Sequence, residues 1–123
     1  MLKPKKFGEV FDRTDTDTAT FNQLLKNPEY FKREKCLIGE IKEISPDEYL
    51  RTSAERKGIS LASDLAIVSK STVNKYAKQM KQGAKFPMPW FDEHGQQEGR
   101  HRALAAKKIG LEKIPVLFVK KIC

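Results

Sequence analysis

The sequence predicts a small domain of the α+β class, with a small mixed sheet and flanking helices. Of its 123 residues, 39% are hydrophobic and 33% are charged, a balance typical of one globular domain rather than of a disordered segment. Apolar runs alternate with amphipathic helical patterns in the order strand, helix, hairpin, helix, strand. We expect residues 1–35 to form an N-terminal extension with one helix at about residues 18–31, and residues 36–123 to form the domain.

Two stretches predict the main strands. Cys36–Ile44 is mainly apolar and ends before Pro46, which lacks an amide donor and suits the first turn of a short helix over residues 47–50. Ile114–Val119 is an unbroken apolar run, as expected for a strand that is covered on both faces. Between them, two prolines keep residues 86–91 extended. A turn and a short return strand then complete a hairpin.

An amphipathic helix is predicted to begin at Ser71 or Thr72 and to end before Gly83. Its polar side carries three lysines that could follow a nucleic-acid backbone. We call them the lysine row: Lys75, Lys78 and Lys81. A lesser alternative is that residues 62–76 form a helix-turn-helix that reads DNA, since the apolar spacing there also fits that motif.

The positive charge is unevenly distributed. The net charge of +8 divides into +1 for residues 1–60 and +7 for residues 61–123. A basic half predicts an anionic partner, either nucleic acid or a phosphorylated ligand. The alternative is a solvated, lysine-rich surface without a ligand.

The segment that carries most information about function is Glu98-Gly-Arg-His-Arg102. After a strand, Gly99 allows a tight turn, and a helix then begins with Arg100, His101 and Arg102. Cationic residues add to the partial positive charge of a helix N-terminus, and an anion bound there would remove that cost. We therefore predict a phosphate site at Gly99, Arg100, His101 and Arg102. Alternatively, the arginines pair with acidic neighbours such as Glu98, Asp92 or Glu93.

The run Glu98–Val116 resembles the signature of the ParB/sulfiredoxin superfamily: a Gly turn, His-Arg, an alanine-rich helix that ends in Gly, and a strand that opens Ile-Pro-Val. Gly83–Trp90 and Glu43–Leu50 resemble its preceding segments, so the likeness covers about residues 36–120. It is similar to the small ParB-like nuclease domains of phages and other mobile elements. The resemblance implies a ParB/sulfiredoxin-like sheet with a Gly-turn–helix phosphate site.

The resemblance also bears on chemistry. It implies binding or hydrolysis of a nucleotide or phosphodiester, with Mg²⁺ carried by the nucleotide. Arg100 stands where sulfiredoxin has its nucleophilic cysteine, so we expect no sulfiredoxin-type reductase. The candidate catalytic residues are His101, Glu98 and Glu43, with Glu40 weighed beside Glu43. For each, a structural alternative stays open: a hydrogen-bonded histidine, a carboxylate paired with an arginine, or a solvent-facing strand residue.

Cys36 and Cys123 are interpreted as free thiols in a reducing compartment, because a secreted domain of this size usually carries a larger cysteine framework. No zinc-ligand spacing, signal peptide or membrane-spanning run is recognisable. We therefore expect a cytoplasmic protein, in a bacterial host if it is phage-encoded, with no metal site of its own and no membrane partner. Two functions stay open: a phosphate-ligand-binding domain, with or without NTPase or DNase activity, and a non-catalytic regulator that binds DNA or a host protein.

Overall fold

The computed structural model describes residues 10–123, which form a mixed α+β fold with one four-stranded and one two-stranded sheet. The strands are β1 (Phe11–Asp12), β2 (Leu37–Ile44), β3 (Phe86–Pro87), β4 (Trp90–Phe91), β5 (Gln97–Glu98) and β6 (Ile114–Lys121). The helices are α1 (Ala19–Lys26), α2 (Pro28–Tyr30), α3 (Pro46–Lys57), α4 (Leu61–Ala66), α5 (Lys70–Lys81) and α6 (Arg100–Lys108), and a π-helical turn, Phe31–Lys35, precedes β2.

The larger sheet has the strand order β2-β6-β4-β5. Its interior strand β6 pairs antiparallel with β2 and parallel with β4, so the predicted mixed sheet is confirmed. The residues of β6 from Ile114 to Leu117 are buried, as the unbroken apolar run predicted. One row of the sheet runs through Ile41, Leu117, Trp90 and Glu98, so β2 and β5 lie at opposite edges.

The helices follow local capping chemistry. Ser45 accepts a hydrogen bond from the amide of Glu48 and Pro46 occupies the first turn, so α3 begins where expected. It continues to Lys57, well beyond the predicted residues 47–50. The N-cap of α5 is Ser69, whose hydroxyl accepts from the amide of Thr72, and not Ser71 or Thr72 as the sequence suggested.

The segment before β2 packs on the same sheet. Phe21 and Leu24 of α1 are buried against Met88 and Leu117. The predicted helix to about Phe31 is interrupted after Lys26 and resumes at Pro28. β1 pairs in parallel with β3, which ties the start of the described chain to the hairpin region.

The interpretation of the two cysteines as free thiols is wrong: Cys36 and Cys123 form a disulfide with a Cα–Cα distance of 5.5 Å. Cys36 immediately precedes β2 and Cys123 follows β6. The pairing of Leu37 with Lys121 brings these two strand ends together. The expectation of a reducing cytoplasm therefore loses the thiol argument that supported it.

Membrane insertion is not indicated by any helix within residues 10–123, since none combines the length and the apolar character needed to cross a bilayer.

Candidate functional site

The start of α6 is built by a close approach of two backbone segments. Gly99 is buried and has a φ of 143°, in a region that favours glycine. A Cβ at this position would lie 2.5 Å from the Cβ of Pro89. The space beside Gly99 is thus filled by Pro89. The glycine permits packing against β4, where we had expected it to leave room for a phosphate.

Arg100, the first residue of α6, is held by Asp64 of α4. Its Nη1 donates to the backbone oxygen of Asp64 at 2.6 Å and to Oδ1 at 2.8 Å. The same carboxylate accepts from Lys57 Nζ at 2.6 Å and from Ser53 Oγ at 2.7 Å. One carboxylate therefore ties together α3, α4 and α6 and fixes the direction of Arg100.

Asp64 stays ionised in this position. It is only 2% exposed, and burial by itself opposes its charge. Hydrogen bonds from Lys57 and Ser53, together with the charge of Arg100, outweigh burial and hold the pKa of Asp64 below its usual value. Since two cations share this carboxylate, the cluster keeps one positive charge in excess.

Arg102 pairs with Glu98 one helical turn before it. Its Nη1 lies 2.8 Å from Glu98 Oε1, and its Nη2 donates to the backbone oxygen of Glu98 at 3.2 Å. This is the structural alternative that the sequence left open. Arg102 is buried, and its Nε has no hydrogen-bond partner among the described residues. The Arg102 guanidinium therefore carries one donor that the protein itself does not satisfy.

His101 contacts the start of α5. Its Nε2 accepts a hydrogen bond from the backbone amide of Ser69 at 3.1 Å, and its ring lies edge-on to Tyr76 with centroids 6.5 Å apart. The nitrogen that would accept a proton in general-base catalysis is therefore engaged by an amide donor. This contact connects the N-termini of α5 and α6.

The three candidate catalytic residues do not come together. Glu98 is engaged by Arg102, while Glu43 forms an ion pair with Arg13 and lies on β2. Two strands separate β2 from β5, a lateral distance of about 14 Å at the usual spacing of neighbouring strands. Glu40, on the same strand as Glu43, is exposed.

A cleft of about 480 Å³ adjoins the start of α6, and we call it the cationic cleft. Its lining residues are Arg56, Lys57, Trp90, His94, Gly95, Gln96, Gln97 and Arg100. With Asp64 counted against its partners, three cationic side chains oppose one carboxylate, which leaves two positive charges in excess. The predicted phosphate turn therefore borders a concavity with net positive charge.

Arg56 is oriented without a carboxylate partner. Its guanidinium lies 4.8 Å from the ring centroid of Phe91, and Nη1 donates to the backbone oxygen of Asp92 at 3.3 Å. An arginine has five N–H donors, so most of those on Arg56 stay available to a ligand. Stacking on an aromatic ring limits the conformations of the side chain, which lowers the entropy cost when a ligand binds.

The wall of the cleft formed by β5 is fixed from below. Tyr49 donates a hydrogen bond to Gln97 Oε1 at 2.6 Å. Burial raises the pKa of Tyr49 well above its usual value, so the hydroxyl remains protonated and continues to donate.

Sequence reasoning missed Arg56, Lys57 and Asp64, which lie in a polar stretch without a recognisable motif. The signal that could have found Asp64 is an aspartate in the first turn of a helix capped by Ser60, and even that signal does not identify its partners. The lysine row lies on the exposed side of α5, as expected for residues available to a ligand.

No cluster of three or more metal-ligating side chains occurs within residues 10–123. Of the carboxylates beside the turn, Asp64 is saturated by its three donors, and Asp92 accepts the amides of His94 and Gln96. Glu98 alone is exposed enough to contact a nucleotide-bound Mg²⁺. The chain's own residues therefore fit such an ion poorly, and no step is assigned to it.

No family model matches the chain, and comparisons with curated proteins and with solved structures also give no match. The superfamily likeness of Glu98–Val116 therefore stays a prediction from the sequence.

Proposed function

We propose that this domain binds a phosphate-bearing ligand, either a nucleotide or a nucleic acid, in the cationic cleft beside the start of α6. The observation that carries the proposal is the excess of two positive charges on Arg56, Lys57 and Arg100 after Asp64 is counted. This charge lies next to the N-terminus of a nine-residue helix that has no acidic residue in its first turn. A helix N-terminus and arginine side chains are the usual partners of phosphate oxygens.

The arrangement supports a more specific role for each cation than the sequence did. Both contacts from Arg100 to Asp64 use Nη1, so the rest of its guanidinium is available. Arg56 stands across the cleft on α3 with most of its donors unused. Arg102, in contrast, is buried with Glu98, and we assign it a role in holding the turn.

Binding fits the geometry better than hydrolysis. Nε2 of His101 accepts from the Ser69 amide, Glu98 pairs with Arg102, and Glu43 lies at the far edge of the sheet. A general base must lie within hydrogen-bonding distance of the attacking water, and none of these groups is both free and beside the cleft. The ParB-like ancestry proposed from the sequence is compatible with a binding role, since members of one fold carry different functions.

The experiment is a thermal-denaturation screen with ATP, CTP, inorganic phosphate and a short single-stranded oligonucleotide. A ligand at ten times its Kd should stabilise the fold by about 1.4 kcal/mol and raise the melting temperature by several degrees. Arg56→Gln should weaken binding roughly tenfold, the usual consequence of removing one charge-assisted hydrogen bond.

The matched control is Arg51→Gln, which removes the same charge from an exposed position of the same helix. The quantity compared is the ligand-induced shift of each variant, because Arg56→Gln also removes the packing on Phe91. If both variants respond to ligand as the wild type does, the cleft is not the binding site. If no phosphate compound shifts the wild type at millimolar concentration, the proposed function is wrong.

A further inference from the structure

A second concavity lies between α4, α5 and α6, and we call it the α4–α6 groove. Its volume is about 590 Å³, and it shares no lining residue with the cationic cleft. The lining residues are Leu65, Val68, Lys70, Val73, Asn74, Leu104, Lys107 and Lys108. The floor is thus aliphatic, and each cationic group among the lining residues is a lysine.

Exposed apolar residues extend this floor outward. Ile67, between Leu65 and Val68, is 74% exposed, more than the other large hydrophobic side chains at the surface of the described chain. Leu61 is 41% exposed and lies one turn from Leu65 on the same side of α4, and Ile59 is 44% exposed just before that helix. Three large apolar side chains exposed within nine residues beside an apolar groove are typical of a surface that binds a partner.

The charge at the rim is of one sign. No carboxylate is found among the described residues that line the groove. Lys107 is paired with Asp47 at 2.8 Å, whereas neither Lys70 nor Lys108 has a carboxylate partner within residues 10–123. The rim therefore offers two unneutralised positive charges on either side of an apolar floor.

We propose that the α4–α6 groove binds an amphipathic helix of a partner protein, with leucine-like side chains on one face and Asp or Glu at the flanks. The apolar face would cover Leu65, Val73 and Leu104, and the acidic flanks would meet Lys70 and Lys108. This is the helix-in-groove mode of recognition, in which burial supplies affinity and charge supplies orientation. The pattern matches neither nucleic acid, which would leave the aliphatic floor uncovered, nor the start of this chain, where Lys3, Lys5 and Lys6 would be repelled.

The test uses a synthetic helical peptide of about 15 residues, because shorter helices are marginal in water. Leucines occupy one face and glutamates flank it, and a second peptide carries lysine in place of every glutamate. Fluorescence anisotropy at low salt should show submillimolar binding of the acidic peptide and at least tenfold weaker binding of the basic one. The preference should shrink as salt screens the rim charges.

Two sets of variants locate the site on the full chain. Lys70→Glu with Lys108→Glu should weaken acidic-peptide binding roughly tenfold, and Ile67→Ser should weaken it severalfold. The matched control, Lys32→Glu with Lys120→Glu, reverses two exposed lysines outside the groove and should change binding less than twofold.

Several outcomes would overturn the proposal. One is equal binding of the two peptides, and another is no binding of the acidic peptide at millimolar concentration. A mixed-sequence DNA duplex that binds in place of the peptide, and that the lysine variants no longer bind, would assign the groove to nucleic acid. Self-association of the wild type that Ile67→Ser abolishes, measured by light scattering, would assign it to a second copy of the chain.

Discussion

Replacing Asp64 with asparagine should cost much of the stability of this fold. The substitution removes a charge that accepts hydrogen bonds from Ser53, Lys57 and Arg100 at 2.6 to 2.8 Å, while nearly preserving side-chain shape. Removal of one partner from a buried ion pair costs about 3–5 kcal/mol, because the remaining charge is left uncompensated. The Lys57 side chain is 30% exposed and can recover water, so we expect the lower end, about 3 kcal/mol.

Urea denaturation followed by circular dichroism would measure this destabilisation, which corresponds to a fall in melting temperature of roughly 10–15 °C for a chain of this size. Asp47→Asn is the matched control. It also removes a carboxylate from a lysine, but both partners in the Asp47–Lys107 pair are more than half exposed. Such surface pairs contribute at most about 1 kcal/mol.

The pH dependence gives an independent check. Because the folded-state pKa of Asp64 lies below its unfolded value, its contribution is fully present above about pH 5 and disappears as the pH falls below the unfolded carboxyl pKa of about 3.9. The stability difference between wild type and Asp64→Asn should therefore narrow between about pH 5 and pH 2. A cost below about 0.5 kcal/mol at neutral pH, or a difference that does not depend on pH, would refute the view that Asp64 organises the site.

Three further predictions concern the turn, the disulfide and the lysine row. Gly99→Ala should destabilise the fold by about 2 kcal/mol or more in thermal denaturation, because its Cβ would meet Pro89, whereas Gly83→Ala, with open space around it, should cost less; equal destabilisation would contradict this. Cys36→Ser with Cys123→Ser should lower the free energy of unfolding by about 2–5 kcal/mol, since the chain between residues separated by 87 positions is no longer closed into a loop, and should leave the affinity of the cationic cleft unchanged; a stability equal to that of the wild type would be inconsistent with the bridge. If the domain binds nucleic acid, neutralising the lysine row should flatten the slope of log affinity against log salt by about one unit for each phosphate that the protein no longer neutralises, and an unchanged slope would remove those lysines from the interface.

Local sequence patterns predicted the elements that carry their own signals. The apolar run at Ile114–Val119 and the alanine-rich, glycine-terminated α6 are both present, and Ala103, Ala105 and Ala106 of that helix are fully buried. Gly95 adopts the positive φ expected of the hairpin turn. Periodicity and turn chemistry act over a few residues, so a single sequence contains them.

The contacts that organise the site depend on the tertiary fold. Asp64 and Arg100 are 36 residues apart, and no local pattern relates a buried aspartate of α4 to the first residue of α6. The disulfide illustrates the same limit, because Cys36 and Cys123 become neighbours only when β2 pairs with β6 in register. The cationic turn was found from its sequence, but its internal partners decide which arginine is available to a ligand.

The most direct measurement of the central claim is an amide and arginine side-chain NMR titration of the full chain with the nucleotide that stabilises it most. Binding in the cationic cleft predicts that the largest chemical-shift changes fall on the backbone amides of residues 99–102 and on the side-chain N–H groups of Arg56 and Arg100. Changes concentrated outside the cleft, such as on the lysine row or in the α4–α6 groove, or no changes at millimolar nucleotide, would contradict it.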